Sequence, residues 1–258
     1  MTQVNNIELL HWLDHTLEAH KFKDYCPNGL QVEGKTDIRR IVTGVTASLA
    51  LLQAAVKHNA DAVIVHHGWF WKNENPCIRG PKKARIALTL QHELNLYGYH
   101  LPLDAHPTLG NNVQLAQQLD LEPERDAQGQ VIGCGPDGLV WLGRPKAAMT
   151  RQAMSQLISS RLGREPLLVG NADAPVQRVA WCTGGAQGFM EAAIAAGADL
   201  YITGEASEQN YHLALENNVG FIAAGHHATE RYGVLALGQA IAKQFGVEVE
   251  FIDVDNPI

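Results

Sequence analysis

The sequence predicts an α/β fold made of two similar halves with mixed sheets, and three observations support this prediction. First, short apolar runs of strand length alternate with segments of helical periodicity along the 258 residues. Second, two stretches of the chain align with each other without a gap. Third, hydrophobic residues make up 46% and charged residues 18% of the sequence, which is typical of a globular protein with a buried core.

The first half is predicted to begin with a helix and to continue with alternating strands and helices. Apolar residues recur at helical spacing from Ile7 to Leu17, before the turn-rich segment 24–29. The continuous apolar run at 62–65 is typical of a buried strand in a parallel sheet. The other elements predicted in this half are strands at 40–45 and 94–99 and helices at 48–58, 82–93 and 112–119.

The segment 122–138 is rich in glycine and proline, and it is the most loop-like part of the chain. We therefore predict a first half of residues 1–125, joined by the C-terminal segment 231–258, and a second half of residues 126–230. The elements predicted after the loop are strands at 139–142, 179–182, 200–203, 220–224 and 247–252 and helices at 151–162, 188–196, 205–217 and 231–245.

An internal repeat relates the two halves. Residues 40–67 align with 178–205, and both copies carry an Ala-Asp pair before their second strand. Residues 96–104 align with 222–230. A chance likeness between two βαβ units is the alternative explanation. A true repeat predicts two similar halves whose strand ends meet at one interface.

Three clusters of histidine and carboxylate residues follow predicted strands. They lie at 66–67, 100–106 and 226–230, and ligands of open α/β sheets bind at this edge. Neutral imidazoles and carboxylates without thiolate suit zinc, iron, manganese, nickel or cobalt. One His-His pair is more often ordinary loop sequence, so the prediction depends on the three clusters together. A single ion does not need ligands from all three, whereas two ions about 3.5–4 Å apart and bridged by a carboxylate would use them.

Several residues beside these clusters have two interpretations. Glu205 is either a general base near the metal ions or an ordinary charge in the first turn of a helix. The glycine-rich segment 184–188 does not fit GxGxxG and is only a weak signal for phosphate binding. The aromatic run 69–71 either stacks on a base, covers the site or packs at a subunit contact. His106 and His227 are second members of their clusters and are candidates for supporting roles.

Charge and cysteine usage exclude several classes of protein. A net charge of -7 gives no general attraction to nucleic acid or to an anionic membrane. We expect no membrane span and no signal peptide, because no apolar run approaches about 18 residues and the first residues lack a basic segment before an apolar one. The four cysteines have no CxxC spacing, which disfavours a zinc ribbon or a disulfide framework and indicates a cytoplasmic protein.

At these clusters the sequence resembles the Nif-three-like proteins, also called GTP cyclohydrolase 1 type 2 homologs, and particularly their short bacterial YbgI-type members. The resemblance covers nearly the whole chain, and the stretch 121–176 matches less distinctly. The motifs that carry it are PNGLQVEG at 27–34, TGVTAS at 43–48, VHHG at 65–68, LPLD at 101–104, TGE at 203–205 and GHHATE at 225–230.

The resemblance implies a two-domain α/β fold and a ring-shaped homohexamer with metal sites that face its interior. It also implies two divalent metal ions per chain, with Glu230 as the bridging ligand. His227 and His100 then lie outside the set of ligands. The implied ligands are His66, His67, Asp104, His226 and Glu230.

Two main functions are expected from these observations. The first is a metal-dependent hydrolase for a nucleotide, either of the GTP cyclohydrolase type, with attack at C8 of the purine, or for damaged nucleotides. In this function Glu205 or His100 would carry protons. The second is a metal-binding protein or metallochaperone without turnover. A ring that binds a partner or DNA through its central hole is a weaker third expectation, and the acidic charge disfavours DNA.

Overall fold

The chain folds into two compact units in a computed structural model that describes residues 2–258. Unit 1 consists of Met1–Gly110 and Gly233–Asp255, and unit 2 consists of Asn111–Tyr232 and Asn256–Ile258. The loop-like segment 122–138 lies within unit 2, because the strands at its two ends pair with a third strand of that unit. Within the described residues no helix has the length and apolar character of a membrane span.

Helices and strands alternate along the chain, as the sequence predicted. The helices are α1 (Asn6–Thr16), α2 (Leu49–Lys57), α3 (Gly80–Gln91), α4 (Leu101–Ala105), α5 (Asn111–Gln118), α6 (Arg151–Leu162), α7 (Met190–Ala195), α8 (Glu208–Glu216) and α9 (His226–Phe245). The strands are β1 (Val4–Asn5), β2 (Gly29–Val32), β3 (Asp37–Ile38), β4 (Arg40–Thr46), β5 (Ala62–His67), β6 (Asn95–Gly98), β7 (Leu121–Pro123), β8 (Gly133–Cys134), β9 (Val140–Pro145), β10 (Met149–Thr150), β11 (Leu167–Val169), β12 (Pro175–Val176), β13 (Val179–Trp181), β14 (Leu200–Thr203), β15 (Gly220–Ala223) and β16 (Glu248–Phe251).

Unit 1 is built on a mixed five-stranded sheet in the order β16-β4-β5-β6-β2. The first four strands are parallel, and β2 pairs antiparallel with β6. Ile41 and Ile64 share a core cluster with α1 and the later part of α9, whereas Val42 and Val63 pack with residues of α2. The sheet is therefore buried on both faces, which explains the uninterrupted apolar run at 62–65.

Unit 2 is built on a mixed sheet in the order β11-β15-β14-β13-β9-β7, with β8 also paired to β9. β13, β14 and β15 are parallel, and β11 and β9 flank them in antiparallel pairing. The core cluster of this unit joins Trp181, Ile202 and Ile222 of the sheet to Leu115 of α5 and Met154 of α6.

Both units contain the same order of elements around their parallel strands. In unit 1 the order is α1, β2, β4, α2, β5 and β6, and in unit 2 it is α6, β11, β13, α7, β14 and β15. β2 and β11 each lie antiparallel beside the last parallel strand. The register agrees as well, because the aligned strands pair Ile41 with Ala62 and Val179 with Leu200.

The Ala-Asp pair of each half forms the same backbone clamp. Oδ2 of Asp61 accepts hydrogen bonds from the backbone N–H groups of Arg39 and Arg40 at 3.0 and 3.1 Å. Oδ2 of Asp199 accepts hydrogen bonds from the backbone N–H groups of Gln177 and Arg178 at 2.8 and 3.0 Å. In both units the aspartate thus ties the start of one parallel strand to the next.

β2 and β11 were not predicted from the sequence, because β2 is interrupted by Gln31 and β11 has only three residues, of which one is well buried. The start of the last helix was predicted near Arg231, whereas α9 begins at His226. The polar residues of its first turn hide the helical periodicity there. This earlier start determines how two candidate ligands are arranged.

Candidate metal centre

The carboxyl ends of β5 and β6 carry the candidate ligands of unit 1. β5 ends with His66 and His67, and β6 leads through His100 into α4, which contains Asp104. Because β5 and β6 are parallel, these residues lie at one edge of the sheet. His66 is fully buried, and Asp104 is 8% exposed.

His66 is oriented by the backbone of the neighbouring strand. Its Nδ1 lies 3.0 Å from the carbonyl oxygen of Tyr99. A carbonyl oxygen only accepts hydrogen bonds, so Nδ1 carries the proton and Nε2 presents its lone pair. Nε2 lies 3.4 Å from Oδ1 of Asp104. A backbone acceptor on one ring nitrogen is the usual support of a histidine that ligates a metal with the other.

His67 lies beside His66 although both residues belong to the end of β5. Their ring centroids are 4.5 Å apart, and the ring planes are inclined at 44°. Nδ1 of His67 lies 3.2 Å from the hydroxyl of Thr46 on the neighbouring strand β4. The pair was predicted to follow the strand, but both residues are the last two residues of β5.

His100 lies against the same pair, with its ring centroid 5.0 Å from that of His66 and 5.8 Å from that of His67. Its Nδ1 lies 2.7 Å from Oδ1 of Asp24, whose side chain is 2% exposed. Burial raises the pKa of Asp24, but the hydrogen bond and charge of His100 and the bonds from Asn28 and Leu101 outweigh it and lower the pKa to about 2. The carboxylate is therefore ionised at neutral pH. The segment 24–29 was predicted only as a turn, and this role of Asp24 was not predicted.

Unit 2 presents a second group of candidate ligands at the start of α9. Because this helix begins at His226, Glu230 lies four residues later on the same face. Nε2 of His226 lies 3.3 Å from Oε2 of Glu230. Glu230 is 3% exposed, and the side chain of His226 is 28% exposed.

Glu205 holds the other nitrogen of His226. Its Oε1 lies 2.6 Å from Nδ1, and its Oε2 accepts a hydrogen bond of 3.1 Å from Nε2 of Gln187. Glu205 precedes α8, which begins at Glu208, so it is not a first-turn residue of that helix. Burial lowers the pKa of His226, but the hydrogen bonds and charges of Glu230 and Glu205 outweigh it and raise the pKa to about 9. A metal ion would displace a proton from this imidazole at neutral pH.

Gly184 makes room for the carboxylate of Glu230. A Cβ atom at this position would lie 2.0 Å from Oε1 of Glu230, and φ is +68°, which also favours glycine. The backbone N–H of Gly184 donates to the hydroxyl of Thr229 at 3.0 Å, and its carbonyl accepts from the hydroxyl of Thr203 at 3.1 Å. The glycine at the start of segment 184–188 therefore shapes the position of Glu230.

The remaining candidates have separate surroundings. His106 uses both nitrogens within unit 1, because Nδ1 accepts from the backbone N–H of Leu109 at 3.0 Å and Nε2 donates to the carbonyl of Thr16 at 3.0 Å. His227 is 8% exposed, and as the residue after His226 it lies off the helix face that His226 shares with Glu230. His106 thus supports a loop.

The aromatic run 69–71 divides into residues with different surroundings. Trp69 is buried and donates from Nε1 to the carbonyl of Ala47 at 3.0 Å. Phe70 is 40% exposed. The ring of Trp71 lies 5.0 Å from that of His100. Trp71 is therefore the member of the run that borders the candidate ligands.

The chemistry of both groups fits divalent metal ions. Unit 1 has a buried carboxylate beside a buried imidazole, and unit 2 has a buried carboxylate beside an imidazole that is 28% exposed. Buried charged groups are costly unless they are paired or coordinate a metal. The oxygen atoms that hold Nδ1 of His66 and His226 direct their Nε2 atoms to Asp104 and Glu230. Buried His, Asp and Glu groups that can bind metal ions are thus present in both units.

Comparisons with known proteins agree with the resemblance seen in the sequence. The family model of Duf34/NIF3 (NGG1p interacting factor 3) matches residues 4–257. A GTP cyclohydrolase 1 type 2 homolog of Pseudomonas aeruginosa is 55% identical over 244 residues, which cover 95% of each chain. A homolog of the same description from Yersinia pestis is 52% identical over 255 residues, or 98% of this chain and 100% of the relative. The solved structure of protein ybgI, described as of unknown function, matches with a TM-score of 0.92 and 48% identity over 99% of this chain and 100% of that one.

Proposed function

This chain belongs to the Duf34/NIF3 family, and on that premise we propose that it binds two divalent metal ions in one dinuclear centre and hydrolyses a nucleotide. One observation carries the metal-binding part. In each unit a buried carboxylate lies within 3.4 Å of Nε2 of a histidine whose Nδ1 is held by an oxygen atom. This arrangement is typical of a ligating histidine with its supporting acceptor.

The residues that would hold the ions come from both units. Imidazole and carboxylate ligands suit zinc, iron, manganese, nickel or cobalt. When bound, two such ions lower the pKa of a water molecule and polarise the bond that is attacked. Glu230 is the proposed bridge between them. The proposed ligands are His66, His67, Asp104, His226 and Glu230.

His100 and Glu205 are the residues proposed to carry protons. Asp24 holds Nδ1 of His100, so Nε2 is the atom that accepts or returns a proton beside the ligands. The bond of Glu205 to His226 adds an orienting role to its predicted part in proton transfer. For a purine nucleotide attacked at C8, these side chains would take the proton from water and return it to the opened ring.

We also propose that the two units arose from an internal duplication. The common order of elements, the matched register and the equivalent clamps of Asp61 and Asp199 support it. A duplication explains why candidate ligands follow equivalent strands in both units. It is consistent with one centre that takes ligands from two related strand ends.

The test combines metal analysis with an assay of turnover. Elemental analysis of the purified protein is expected to find two ions per chain. The metal-loaded protein is then incubated with GTP and with a panel of oxidised nucleotides, and ring-opened or hydrolysed products are measured by chromatography. A His66→Ala, Glu230→Ala double variant is expected to lose both metal and turnover. Turnover no higher in the native protein than in this variant would rule out the hydrolase.

Metal delivery without turnover is the second candidate function. One observation favours it: His100 belongs to two separate groups of close metal-binding side chains in unit 1. This function predicts labile ions that pass to a chelator within minutes and no product from any nucleotide. Tightly held ions with slow release would favour the hydrolase instead.

A homohexamer is the proposed assembly, as the family resemblance implies. Light scattering of the purified protein is expected to give six times the chain mass of 28.1 kDa. A monomeric or dimeric mass would contradict this part of the proposal and would leave the metal chemistry of the single chain to be tested separately.

A further inference from the structure

We propose that divalent metal ions reach the centre through a loading site in unit 1 formed by Asp24, Cys26 and His100. The inference rests on the proposed metal centre, and it adds a route and a second, transient site. Neither the family resemblance nor the ligand set described above includes Asp24 or Cys26.

Two groups of metal-binding side chains in unit 1 overlap at one residue. Ligand atoms of Asp24, Cys26 and His100 lie within 4.8 Å of one another, and so do ligand atoms of His66, His67 and His100. Because His100 belongs to both groups, the two groups adjoin at its ring, with Nδ1 beside Asp24. An ion can therefore bind first at Asp24, Cys26 and His100 and then move to His66 and His67.

The first group opens to solvent through a cleft of about 710 Å³. Asp24 and Cys26 line this cleft, together with the exposed residues His11, His15 and His20. His11 and His15 lie four residues apart on α1 and therefore on one face of the helix, where two imidazoles can hold one ion. The second group lies deeper, since His66 is fully buried.

The chemistry of the loading site suits transit better than permanent binding. Asp24 already accepts a hydrogen bond of 2.7 Å from His100, which an ion must replace. Cys26 is 8% exposed and lines the cleft, and its thiol must release a proton into the cleft when the sulfur binds the ion. When the ion moves on, the thiolate takes a proton back from water. These two costs weaken binding at the loading site.

Cobalt(II) is the probe for the experiment, because its bond to a thiolate gives a charge-transfer absorption in the near ultraviolet. Metal-free full-length protein is mixed with Co²⁺ in a stopped-flow spectrometer, and the thiolate band is expected to rise and then decay as the ion moves on. Cys26→Ser and Asp24→Asn are each expected to slow loading at least tenfold and to leave the final number of ions unchanged. Cys77→Ser, which changes an exposed cysteine of the same unit, is the matched control.

A trapped intermediate provides the second measurement. In a His66→Ala, His67→Ala double variant the ion is expected to stay at the loading site with a persistent thiolate band, and Cys26→Ser in that background is expected to abolish the band. Unchanged loading rates in both single variants would overturn the proposal. A loss of bound ions at equilibrium in Cys26→Ser would overturn it as well, since Cys26 would then be a permanent ligand.

The result is independent of turnover. A protein that loads through this site and converts no nucleotide contradicts only the hydrolase. A protein that converts nucleotides and loads at an unchanged rate in both variants contradicts only the loading site.

Discussion

The carboxyl ends of the two sheets follow one plan with different residues. The proposed repeat aligns His100 with His226, and Nδ1 of each is held by a carboxylate, at 2.7 and 2.6 Å. In unit 1 the carboxylate is Asp24, which comes before β2, whereas in unit 2 it is Glu205, which follows β14. Two unrelated chain positions thus support equivalent imidazoles. The two ends therefore share the orientation of the imidazole, although the carboxylate that orients it comes from a different place in the chain.

The second difference lies at the ends of the aligned strands β5 and β14. β5 ends with two histidines, and the aligned positions in unit 2 are Gly204 and Glu205. A Cβ atom at Gly204 would lie 2.6 Å from the carbonyl oxygen of Gly184 and 2.7 Å from Cα of His226. Unit 2 therefore has no room for a counterpart of His66. At this strand end unit 1 has a pair of histidines, and unit 2 has a glycine and a glutamate.

The largest effect on metal affinity is expected at Gly184, which lies against the carboxylate of Glu230. Gly184→Ala would place a methyl group against the Glu230 carboxylate in a backbone conformation that favours glycine. We expect metal affinity to fall by about 100-fold or more, the upper end of the effects seen when the support of a ligand is removed. Chelator competition measures it. Gly188→Ala is the control, because a Cβ there meets nothing within 4 Å. Equal metal affinities of the two variants would show that Gly184 is not needed to make room for Glu230.

The next effect separates the two carboxylate supports. Glu205→Gln is expected to weaken metal binding about 10–100-fold, because His226 loses the acceptor that directs it. Asp24→Asn is expected to leave the equilibrium affinity nearly unchanged, since His100 is outside the proposed ligands. The same chelator competition compares them. An equal loss of metal affinity in Asp24→Asn would show that His100 is a permanent ligand. The two carboxylate supports would then have the same role.

The two aspartate clamps allow a comparison of stability. Asp61→Asn and Asp199→Asn each weaken hydrogen bonds from two backbone N–H groups to a carboxylate, and we expect a loss of about 1.5–3 kcal/mol in the free energy of unfolding. Urea unfolding at pH 7 measures it. A loss confined to one variant would show that the clamps are not equivalent.

The clamp of Asp61 also predicts a pH dependence. Burial raises the pKa of Asp61, but the hydrogen bonds from Lys35 and from the backbone of Arg39 and Arg40 outweigh it and lower the pKa from the ordinary 3.8. The carboxylate therefore contributes stability fully above about pH 4, and the contribution disappears as the pH falls through the lowered pKa. The difference between native protein and Asp61→Asn is expected to shrink below about pH 4. A constant difference down to pH 2 would contradict this explanation.

The smallest effect concerns the support of His67. Thr46→Val removes the hydroxyl that lies 3.2 Å from Nδ1 and keeps the shape of the side chain. We expect a loss of metal affinity of only a few-fold, which corresponds to about 0.5–1.5 kcal/mol for one neutral hydrogen bond. Thr43→Val on the same strand is the control, because the Thr43 hydroxyl has no hydrogen-bond partner among the described residues. Equal affinities of both variants would show that Thr46 does not orient His67.

The α/β alternation was predictable because it depends on local apolar patterns. The runs at 40–45 and 62–65 lie in β4 and β5, where both faces of the sheet are buried. Edge strands such as β11 have three residues and one well-buried side chain, so no local pattern revealed them. The start of α9 was missed for a similar reason, because the polar residues 226–230 interrupt the apolar periodicity.

The family, the alternation of strands and helices, and the residue types that suit a metal could all be read from the sequence. Its motifs and apolar spacing are local features of the chain. The side chains that support the histidines became evident only in the folded chain. Asp24 meets His100 across 76 positions, and Glu205 meets His226 across 21. Such contacts depend on how parallel strands bring their ends to one edge of a sheet, and no local pattern records that distance.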